Sequence, residues 1–448
     1  MEEYIEKLIS QIRCKKARPY IKYEIKEHIE EQIAANLFSG MSAEDAENNA
    51  VKDMGDPVEV GISMDKIHKP RISWRILVIV SILSILGFII QCSIINKVNV
   101  PGAYQNSIIY HNSMLDFASA ILLGFILMCA IYFVDYTEIA KYSKIIAFII
   151  ITLEILALTG FFGNSTNLGY RTIGFGIFRI SASALLMFYV PVYGGILYKY
   201  RNGGMLEFLK AIVWFIIPVF IMFRLPNVTV AIILFISMLI LLTVSLLKGW
   251  FKVNVKRVII SLWTIFTVIP AAVLHFMYEF DMLSEYKASR ITSFFSESGE
   301  QSYLTSILRE FCENITWIGS SGNDVIGSVP NYDSDFIFSY ILNNYGIMAG
   351  IIIAAVLTGL VIIIFGSATK QKNELGMVMG VGCGMILMLN ILINLLGSIG
   401  VLPPVSSFLP FFSVGRSNII LSYALVGVVM SIYRYKDIYP KSVAEKVR

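Results

Sequence analysis

The sequence predicts an all-α, polytopic membrane protein with about ten transmembrane helices, preceded by a small soluble helical domain. Of the 448 residues, 56% are hydrophobic and 15% are charged, whereas about 25% of the residues in a soluble domain are charged. Apolar runs long enough to cross a hydrocarbon core of about 30 Å recur along most of the chain. These runs are 72–96, 115–134, 142–162, 178–198, 206–224, 227–247, 257–278, 335–366, 376–399 and 413–433.

The basic residues predict the orientation, because cytoplasmic loops of membrane proteins are enriched in Lys and Arg. If the N-terminus lies inside, the short outer connections contain only Lys97, Arg171 and Arg224. The inner connections and the tail contain Lys141, Lys144, Lys199, Arg201, Lys210, Lys248, Lys252, Lys256, Arg257, Lys370, Lys372, Arg434, Lys436, Lys441, Lys446 and Arg448. We therefore expect a multi-pass membrane protein with both termini in the cytoplasm. The net charge of +4 follows from this topology and does not indicate a nucleic-acid partner.

The chain before the first span, residues 1–70, is predicted to form a cytoplasmic helical domain. Apolar residues recur there every four positions, which is typical of an amphipathic helix: Ile21, Ile25, Ile29, Ile33 and Leu37. A second helix is expected to start at Ser42, which can cap it, and to stop at Gly55. A third is expected over 58–68. The run 43–57 resembles the permease prefix domain of several kinds of bacterial membrane protein, which implies a docking or stability module; a regulatory ligand site is the alternative.

No metal or cofactor motif is found in the sequence. The five cysteines are far apart and have no metal-ligand spacing, so that neither a disulfide framework nor a metal site is indicated. Motifs of phosphate-binding loops, zinc proteases and serine hydrolases are absent, and the four histidines form no constellation. The acidic first residues predict no cleavable signal peptide, so that the first span itself must act as the insertion signal.

The long outer connection, residues 279–334, precedes the best candidate for a reacting side chain. Loops of this length are usually functional or disordered, and its aromatic and apolar anchors predict that it folds back over the membrane face. Asp335 follows it directly and opens the eighth apolar run. Its carboxylate is either a helix cap, since helix N-termini stabilise anions, or a general base that faces an outward cavity.

Two further features concern the eighth and ninth runs. The run 335–366 is longer than a span requires, so we expect it to be tilted, kinked at Gly346 or Gly350, or extended beyond the membrane. In the ninth run Asn390 and Asn394 lie on one helical face, where amides form hydrogen bonds between helices. Packing is the expected role of both.

Two segments in the C-terminal half match motifs of a known family. The segments 335–338 (DFIF) and 345–350 (YGIMAG) are similar to "TDFIF…ELGxxG". The segments 394–397 (NLLG), 402–403 (LP) and 409–417 (LPFFSVGRS) are similar to "N…G…LP…LPF(I/F)SYGGSS". Both are motifs of the SEDS family, which includes RodA, FtsW and SpoVE. The resemblance covers about residues 70–435, with weaker similarity at 171–173, 178–182, 225–227 and 290–294; the transmembrane domain is placed at 71–435 and a cytoplasmic tail at 436–448.

The resemblance implies a peptidoglycan glycosyltransferase that polymerises lipid II at the outer face of the membrane, in cell shape, division or sporulation. It also implies a class B penicillin-binding protein as the transpeptidase partner. The essential aspartate of the family falls on Asp335, which would act as general base. Arg290, Arg171 and Arg416 are the candidates for balancing the charge of the lipid pyrophosphate, and a divalent cation is the alternative for that role.

Several positions depart from the family pattern while Asp335 remains. Asn343 and Asn344 replace a Glu pair, Ala182 replaces the Glu of "QPSE", Asn227 replaces the Asp of "QPD", and 414–416 replaces "YGG". These departures leave two interpretations open: a divergent enzyme, and a non-catalytic scaffold of the cell-wall machinery. A transporter or flippase for lipid-linked precursors is a third possibility, which an inverted repeat would support; no convincing internal repeat is found.

Overall fold

The structure, a computed structural model, describes residues 1–98, 114–162, 171–175, 178–225, 227–268, 271–272, 275–276 and 300–438. Within these residues, eight helices are long and apolar enough to cross a membrane. They are α5 (Trp74–Val98), α6 (Met114–Phe133), α9 (Ala182–Lys199), α10 (Met205–Arg224), α11 (Val228–Leu247), α16 (Ile347–Thr369), α17 (Glu374–Ser398) and α18 (Arg416–Arg434). The predicted all-α membrane fold is confirmed.

The other elements are shorter. Four precede the first span: α1 (Glu2–Ser10), α2 (Arg18–Phe38), α3 (Ala43–Asp53) and α4 (Pro57–Ile67). The others lie between the spans: α7 (Tyr136–Lys141), α8 (Ser143–Leu158), α12 (Val255–Trp263), a π-helix (Thr264–Val268), α13 (Glu300–Glu313), α14 (Val325–Ser328) and α15 (Ile337–Tyr345). An antiparallel pair, β1 (Thr172–Phe175) and β2 (Phe178–Ser181), was not predicted.

Two of the ten predicted spans differ from the eight long helices. The third apolar run forms α8, which has 16 residues and at about 1.5 Å per residue is short for a hydrocarbon core. The seventh run begins as α12 and continues as the π-helix before the chain leaves the described residues. Both elements lie where a span was expected, so the order of the elements agrees with the prediction and their lengths do not.

The N-terminal helices form where the sequence pattern places them. The buried face of α2 contains Ile21, Ile25 and Ile29, as the four-residue spacing predicts. At the start of α3 the Ser42 side chain accepts a hydrogen bond of 3.2 Å from the amide of Asp45. Such a cap satisfies one of the free N–H groups of the first turn, which explains why the helix begins there.

These helices contact one end of the bundle, which we call the head end. Lys16, between α1 and α2, forms an ion pair of 2.8 Å with the buried carboxylate of Asp135, which precedes α7. The amide of Arg71 donates to the carbonyl of Arg434 at the end of α18, and its guanidinium pairs with Asp437 at 2.9 Å. Because α18 runs through the bundle from Arg416 to Arg434, the segment before Arg416 lies at the opposite end, the far end.

Helix α17 is the central span and is the most buried of the eight. Its glycines allow close approach: a Cβ atom at Gly380 would lie 2.8 Å from the Cβ of Ala368, and one at Gly382 would lie 3.1 Å from Leu241. Small residues take this role between membrane helices because they let backbones pack closely. This packing holds α17 against α16 and α11, and Asn394 lies near the other end of the same helix.

The long eighth apolar run is broken at Gly346, as one of the alternatives predicted. Helix α15 ends there and α16 begins, with Gly346 at φ +90°. The segment 316–321 crosses the break, since the amides of Ile347 and Met348 donate to the carbonyls of Thr316 and Trp317. A Cβ at Gly346 would lie 2.7 Å from the Trp317 carbonyl oxygen, so the position requires glycine both for its φ and for its contact.

We expect Gly346→Ala to destabilise the protein by about 1–3 kcal/mol, because alanine is strained at this φ and collides with backbone. The measurement is thermal unfolding of the purified protein in detergent. Gly359→Ala is the matched control, since Gly359 lies on α16 and a Cβ there would meet no atom within 4 Å. Equal melting temperatures for the two variants would contradict the strain argument.

Candidate functional site

The candidate site is a turn at the far end, residues 329–336, between α14 and α15. Asn331 adopts φ +52°, a left-handed conformation that asparagine tolerates better than most residues. Its carbonyl accepts hydrogen bonds from the amides of Ser334 and Phe336, which folds the chain back. Its Nδ2 then donates to Oδ2 of Asp335 at 3.2 Å. The turn therefore contributes to the orientation of the Asp335 carboxylate through its own residue Asn331.

Two other segments complete the surroundings of Asp335. Ser406 donates from Oγ to Oδ1 of Asp335 at 3.2 Å. Asn394, near the end of α17, donates from Nδ2 to the carbonyl of Asp335 at 2.8 Å and to the carbonyl of Ser407 at 3.3 Å. Both carboxylate oxygens of Asp335 thus accept a hydrogen bond, and Asn394 fixes its backbone. Asn394 was predicted to form hydrogen bonds between helices; its partners lie instead on two non-helical segments, one of which contains the candidate base.

The alternative interpretation of Asp335 as a helix cap is wrong. The N-cap of α15 is Phe336, and no side chain caps that helix. Asp335 lies one residue earlier, and its oxygens face Asn331 and Ser406 instead of the free amides of the helix. The span itself begins after Gly346. Asp335 therefore belongs to the turn before the span.

Burial raises the pKa of Asp335 to about 7, against the effect of the hydrogen bonds from Ser406, Asn331 and the amide of Ser407. The nearby carboxylate of Asp333 adds to the increase. Burial also raises the pKa of Asp333 to about 6. A carboxyl whose pKa lies near neutrality can both take and return a proton, as a general base requires.

A set of hydrogen bonds holds this turn against the segment 406–414. Gln91 on α5 donates from Nε2 to the carbonyls of Asp333 and Phe412, at 3.0 and 2.7 Å. The amide of Val414 donates to the Asp333 carbonyl at 2.9 Å. Ser413 donates from Oγ to the carbonyl of Ser334 at 2.6 Å and accepts from the amide of Leu409. The two family-like motifs thus form one unit.

Two of the three predicted arginines, Arg416 and Arg171, form no ion pair with Asp335 among the described residues. Arg416 forms an ion pair of 3.2 Å with Asp116 on α6 and lines a small cavity of about 170 Å³. Arg171 lines a groove of about 670 Å³ between α8 and α10, together with Arg224. Among the described residues neither is within ion-pair distance of Asp335, and Arg290 lies outside these residues. The predicted cluster therefore remains a hypothesis.

The positions that depart from the family pattern have structural contacts. The buried Oδ1 of Asn343 accepts hydrogen bonds from Ser321 and Asn323, at 3.0 and 2.6 Å, and so fixes the outer connection on α15. Asn344 accepts one from Lys97. Asn227 caps α11 through the amide of Val230. Both amides and carboxylates can accept such bonds, so these contacts do not require the charge that the family has there.

The described residues contain no group of three or more His, Cys, Asp or Glu side chains that could hold a metal ion. Asp333 and Asp335 are neighbours, but Asp335 already accepts hydrogen bonds at both of its oxygens. A divalent cation usually requires several oxygen ligands. The two carboxylates alone therefore do not supply the several oxygen ligands that a resident cation requires.

The sequence matches the family of cell cycle proteins FtsW, RodA and SpoVE over residues 73–438. The chain belongs to this family. The matched region contains all eight long helices and the site around Asp335, whereas the four N-terminal helices precede it.

Curated relatives support membership of the FtsW/RodA/SpoVE family. The chain is 28% identical over 367 residues to a probable peptidoglycan glycosyltransferase FtsW from Wigglesworthia glossinidia brevipalpis, which covers 78% of this chain and 90% of the relative. It is 23% identical over 338 residues to the peptidoglycan glycosyltransferase MrdB of Helicobacter pylori, covering 71% of this chain and 82% of the relative.

Solved structures show that the FtsW/RodA/SpoVE fold extends through the bundle. One is a chain from a peptidoglycan synthase complex studied for its coordination of polymerization and crosslinking, with a TM-score of 0.64 and 18% identity. It covers 82% of this chain and 98% of its own length. The rod shape determining protein RodA of Thermus thermophilus has a TM-score of 0.56 at 15% identity and covers 82% of this chain and 97% of its own length.

Sequence reasoning missed Asn331, Ser406, Gln91 and Ser413 as supporting residues. A polar residue inside an apolar run is a signal that was present for Gln91, because polar groups within a span usually have partners in the bundle. Ser413 lies within a recognised motif. No signal marked Asn331 or Ser406, since their roles depend on a turn and on a tertiary contact.

Proposed function

We propose that this chain is a peptidoglycan glycosyltransferase that polymerises lipid II at the outer face of the bacterial cytoplasmic membrane, with Asp335 as general base. The observation that carries the proposal is the carboxylate of Asp335, oriented by Asn331 and Ser406 at one end of an FtsW/RodA/SpoVE bundle. Its raised pKa matches the demand of a base that works near neutral pH. The names of the relatives give the substrate class.

In this reaction Asp335 accepts the proton of the sugar hydroxyl that attacks the anomeric carbon of the second lipid-linked chain. The new glycosidic bond forms while the bond from that carbon to the pyrophosphate oxygen breaks. The electron pair leaves with the lipid pyrophosphate, which is already a good leaving anion, so a second carboxylic acid is less necessary than in glycoside hydrolysis. Ser406 and Asn331 keep the accepting oxygens in place.

Arg171, Arg416 and Arg290 are proposed to balance the pyrophosphate charge. Arg416 lies three residues from Ser413, which contacts the turn of Asp335. Arg171 adjoins the start of α9, because its carbonyl accepts from the amide of Ala182, and the neighbouring Ser181 contacts Ser417. Arg171 and Arg416 therefore lie on segments that are connected to the site, and substrate binding would have to bring their charges to it.

A class B penicillin-binding protein is proposed as partner, since a chain of similar fold comes from a peptidoglycan synthase complex.

Both termini are proposed to lie in the cytoplasm, which makes the head end cytoplasmic and the far end extracellular. The N-terminal helices are proposed to form a docking module of residues 1–70. The ion pair between Lys16 and Asp135 would then couple this module to the bundle.

A non-catalytic scaffold is the second candidate function. It is favoured by the replacement of acidic family positions by Asn343, Asn344, Ala182 and Asn227. The side-chain amide of Asn343 accepts a hydrogen bond that holds the outer connection, and that of Asn227 caps a helix. Retention of Asp335 together with its hydrogen-bond partners favours the enzyme over the scaffold.

We expect polymerisation to be slow at acidic pH and to rise through a pH of about 7, because only the ionised form of Asp335 accepts a proton. Below that pH the rate should fall about tenfold per pH unit. The measurement is kcat/KM for lipid II as a function of pH. Ser406→Ala removes a hydrogen bond that lowers the pKa of Asp335, so its profile should move to higher pH; identical profiles would contradict the role of Ser406.

The test of the proposed function is lipid II polymerisation by the purified full-length chain, with a candidate class B penicillin-binding protein and a divalent cation present. Asp335→Ala, prepared in parallel, controls for contaminating polymerases. Glycan strands from the wild type alone would support the enzyme. A well-folded wild type that makes no polymer would support the scaffold instead, and polymer from both preparations would contradict the assignment of Asp335.

A further inference from the structure

A basic pocket of about 650 Å³ lies at the head end, between α5, α16 and α18. Its charged lining includes Arg75, Lys370, Lys372 and Lys436. The pocket is far from the site around Asp335, because α18 has 19 residues and so separates its two ends by about 27 Å. Its function must therefore differ from binding the sugar acceptor.

The positive charge of this basic pocket is largely uncompensated. The one carboxylate in its lining is Asp437, which forms its ion pair with Arg71. No carboxylate within the described residues is within ion-pair distance of Arg75, Lys370 or Lys372. Neighbouring cations repel one another unless an anion lies between them, so the arrangement points to an anionic ligand.

The wall of the basic pocket is apolar and exposed at the surface of the bundle. Trp74 and Ile362 are each 64% exposed, and α16 is one of the least buried spans. A Cβ at Gly366 would meet no atom within 4 Å, so the glycine leaves open space in the pocket. Trp is frequent at the level of lipid headgroups, and Lys or Arg beside it interacts with phosphate.

We propose that the basic pocket binds the headgroup of an anionic phospholipid from the leaflet at the head end. The phosphate lies among Arg75, Lys370 and Lys372, and an acyl chain runs along Ile362 of α16. A soluble phosphate would not use the exposed apolar wall. An apolar partner helix would cover that wall but would leave the cations unpaired, so a phospholipid satisfies both features together.

The experiment compares lipid binding by the purified full-length chain in neutral detergent, with native mass spectrometry and thermal unfolding as readouts. The probes are phosphatidylglycerol, phosphatidylcholine and inorganic phosphate. We expect selective retention of phosphatidylglycerol and a melting temperature that phosphatidylglycerol raises more than the other two probes. If phosphatidylcholine were retained and raised the melting temperature as much as phosphatidylglycerol, the pocket would be an apolar groove without selectivity for charge. If inorganic phosphate raised the melting temperature as much, the pocket would be a site for soluble anions. Either result would overturn the proposal.

The variant Lys370→Gln/Lys372→Gln tests the site. Its affinity for phosphatidylglycerol should fall about 10–30-fold, from the usual contribution of each lysine near an anionic lipid. The control is Lys248→Gln/Lys252→Gln, which removes the same charge from the connection between α11 and α12. That connection is at the same end, because Trp250 donates to Glu374 at the start of α17. If both variants lost the same affinity for phosphatidylglycerol, the effect would depend on net charge alone. That result would overturn the proposed site.

Steric filling gives a second test that leaves the charge unchanged. Gly366→Leu should weaken phosphatidylglycerol binding, because the side chain would enter the open space of the basic pocket. The melting temperature of Gly366→Leu without added lipid, compared with that of the wild type, is the control for folding. Binding that is unchanged in Gly366→Leu would contradict a lipid in the pocket.

Discussion

Asp335→Asn is expected to lower kcat for lipid II polymerisation by about 10²–10⁴-fold, the usual contribution of a positioned general base. Asparagine retains the size of the side chain and can still accept the hydrogen bond from Ser406. It cannot accept the proton of the attacking hydroxyl. Because the substitution alters the transition state and not the bound substrate, KM should change little. The measurement is steady-state polymerisation with labelled lipid II.

Two controls make this prediction specific. Glu310→Gln removes an exposed carboxylate of α13, which belongs to the outer connection that precedes Asp335 in the chain. This variant should leave kcat unchanged. Asp333→Asn removes the neighbouring buried carboxylate. If Asp333→Asn abolished activity and Asp335→Asn did not, the base would be Asp333. A loss that is equal for Asp335→Asn and Glu310→Gln would indicate a general effect of charge at the far end.

Local patterns in the sequence were sufficient for the elements and for the candidate base. The spacing of Ile21, Ile25 and Ile29 gives α2 because an α-helix repeats every 3.6 residues. Ser42 caps α3 because a hydroxyl satisfies a nearby amide. The position of Asp335 after the long outer connection, together with the resemblance, indicated the candidate base. Its raised pKa could not be predicted, since burial depends on segments that are distant in the chain.

The assembly of the site was not predictable for the same reason. Gln91 and Phe412 are separated by 321 positions, and Arg416 and Asp116 by 300. Nothing in the sequence near Gln91 indicates that its amide would connect two carbonyls of the far end. The grouping of Arg171 and Arg416 around Asp335 rested on the resemblance, and the described structure places each of them in a different cavity.

Gly87→Ala is expected to reduce polymerisation by about 10²-fold although it is far from Asp335 in the chain. A Cβ at Gly87 would lie 2.1 Å from the carbonyl oxygen of Phe411, and this neighbour is backbone, so the segment 409–414 has to shift. One helical turn further along α5, Gln91 connects that segment to the turn of Asp335. A displacement of about 1 Å of a catalytic group can cost about 10²-fold in rate.

The same contact also affects stability, so the two effects have to be separated. Overpacking of this kind costs about 1–3 kcal/mol, and thermal unfolding in detergent measures it. Activity is then measured well below the melting temperature of the variant, with Gly359→Ala as a control that adds the same methyl group in open space. We expect Gly87→Ala to lose activity at temperatures where it is fully folded. If its activity fell only in proportion to the unfolded fraction, the packing of α5 against Phe411 would contribute to stability alone. Gln91 would then not transmit the shift of the segment 409–414 to Asp335.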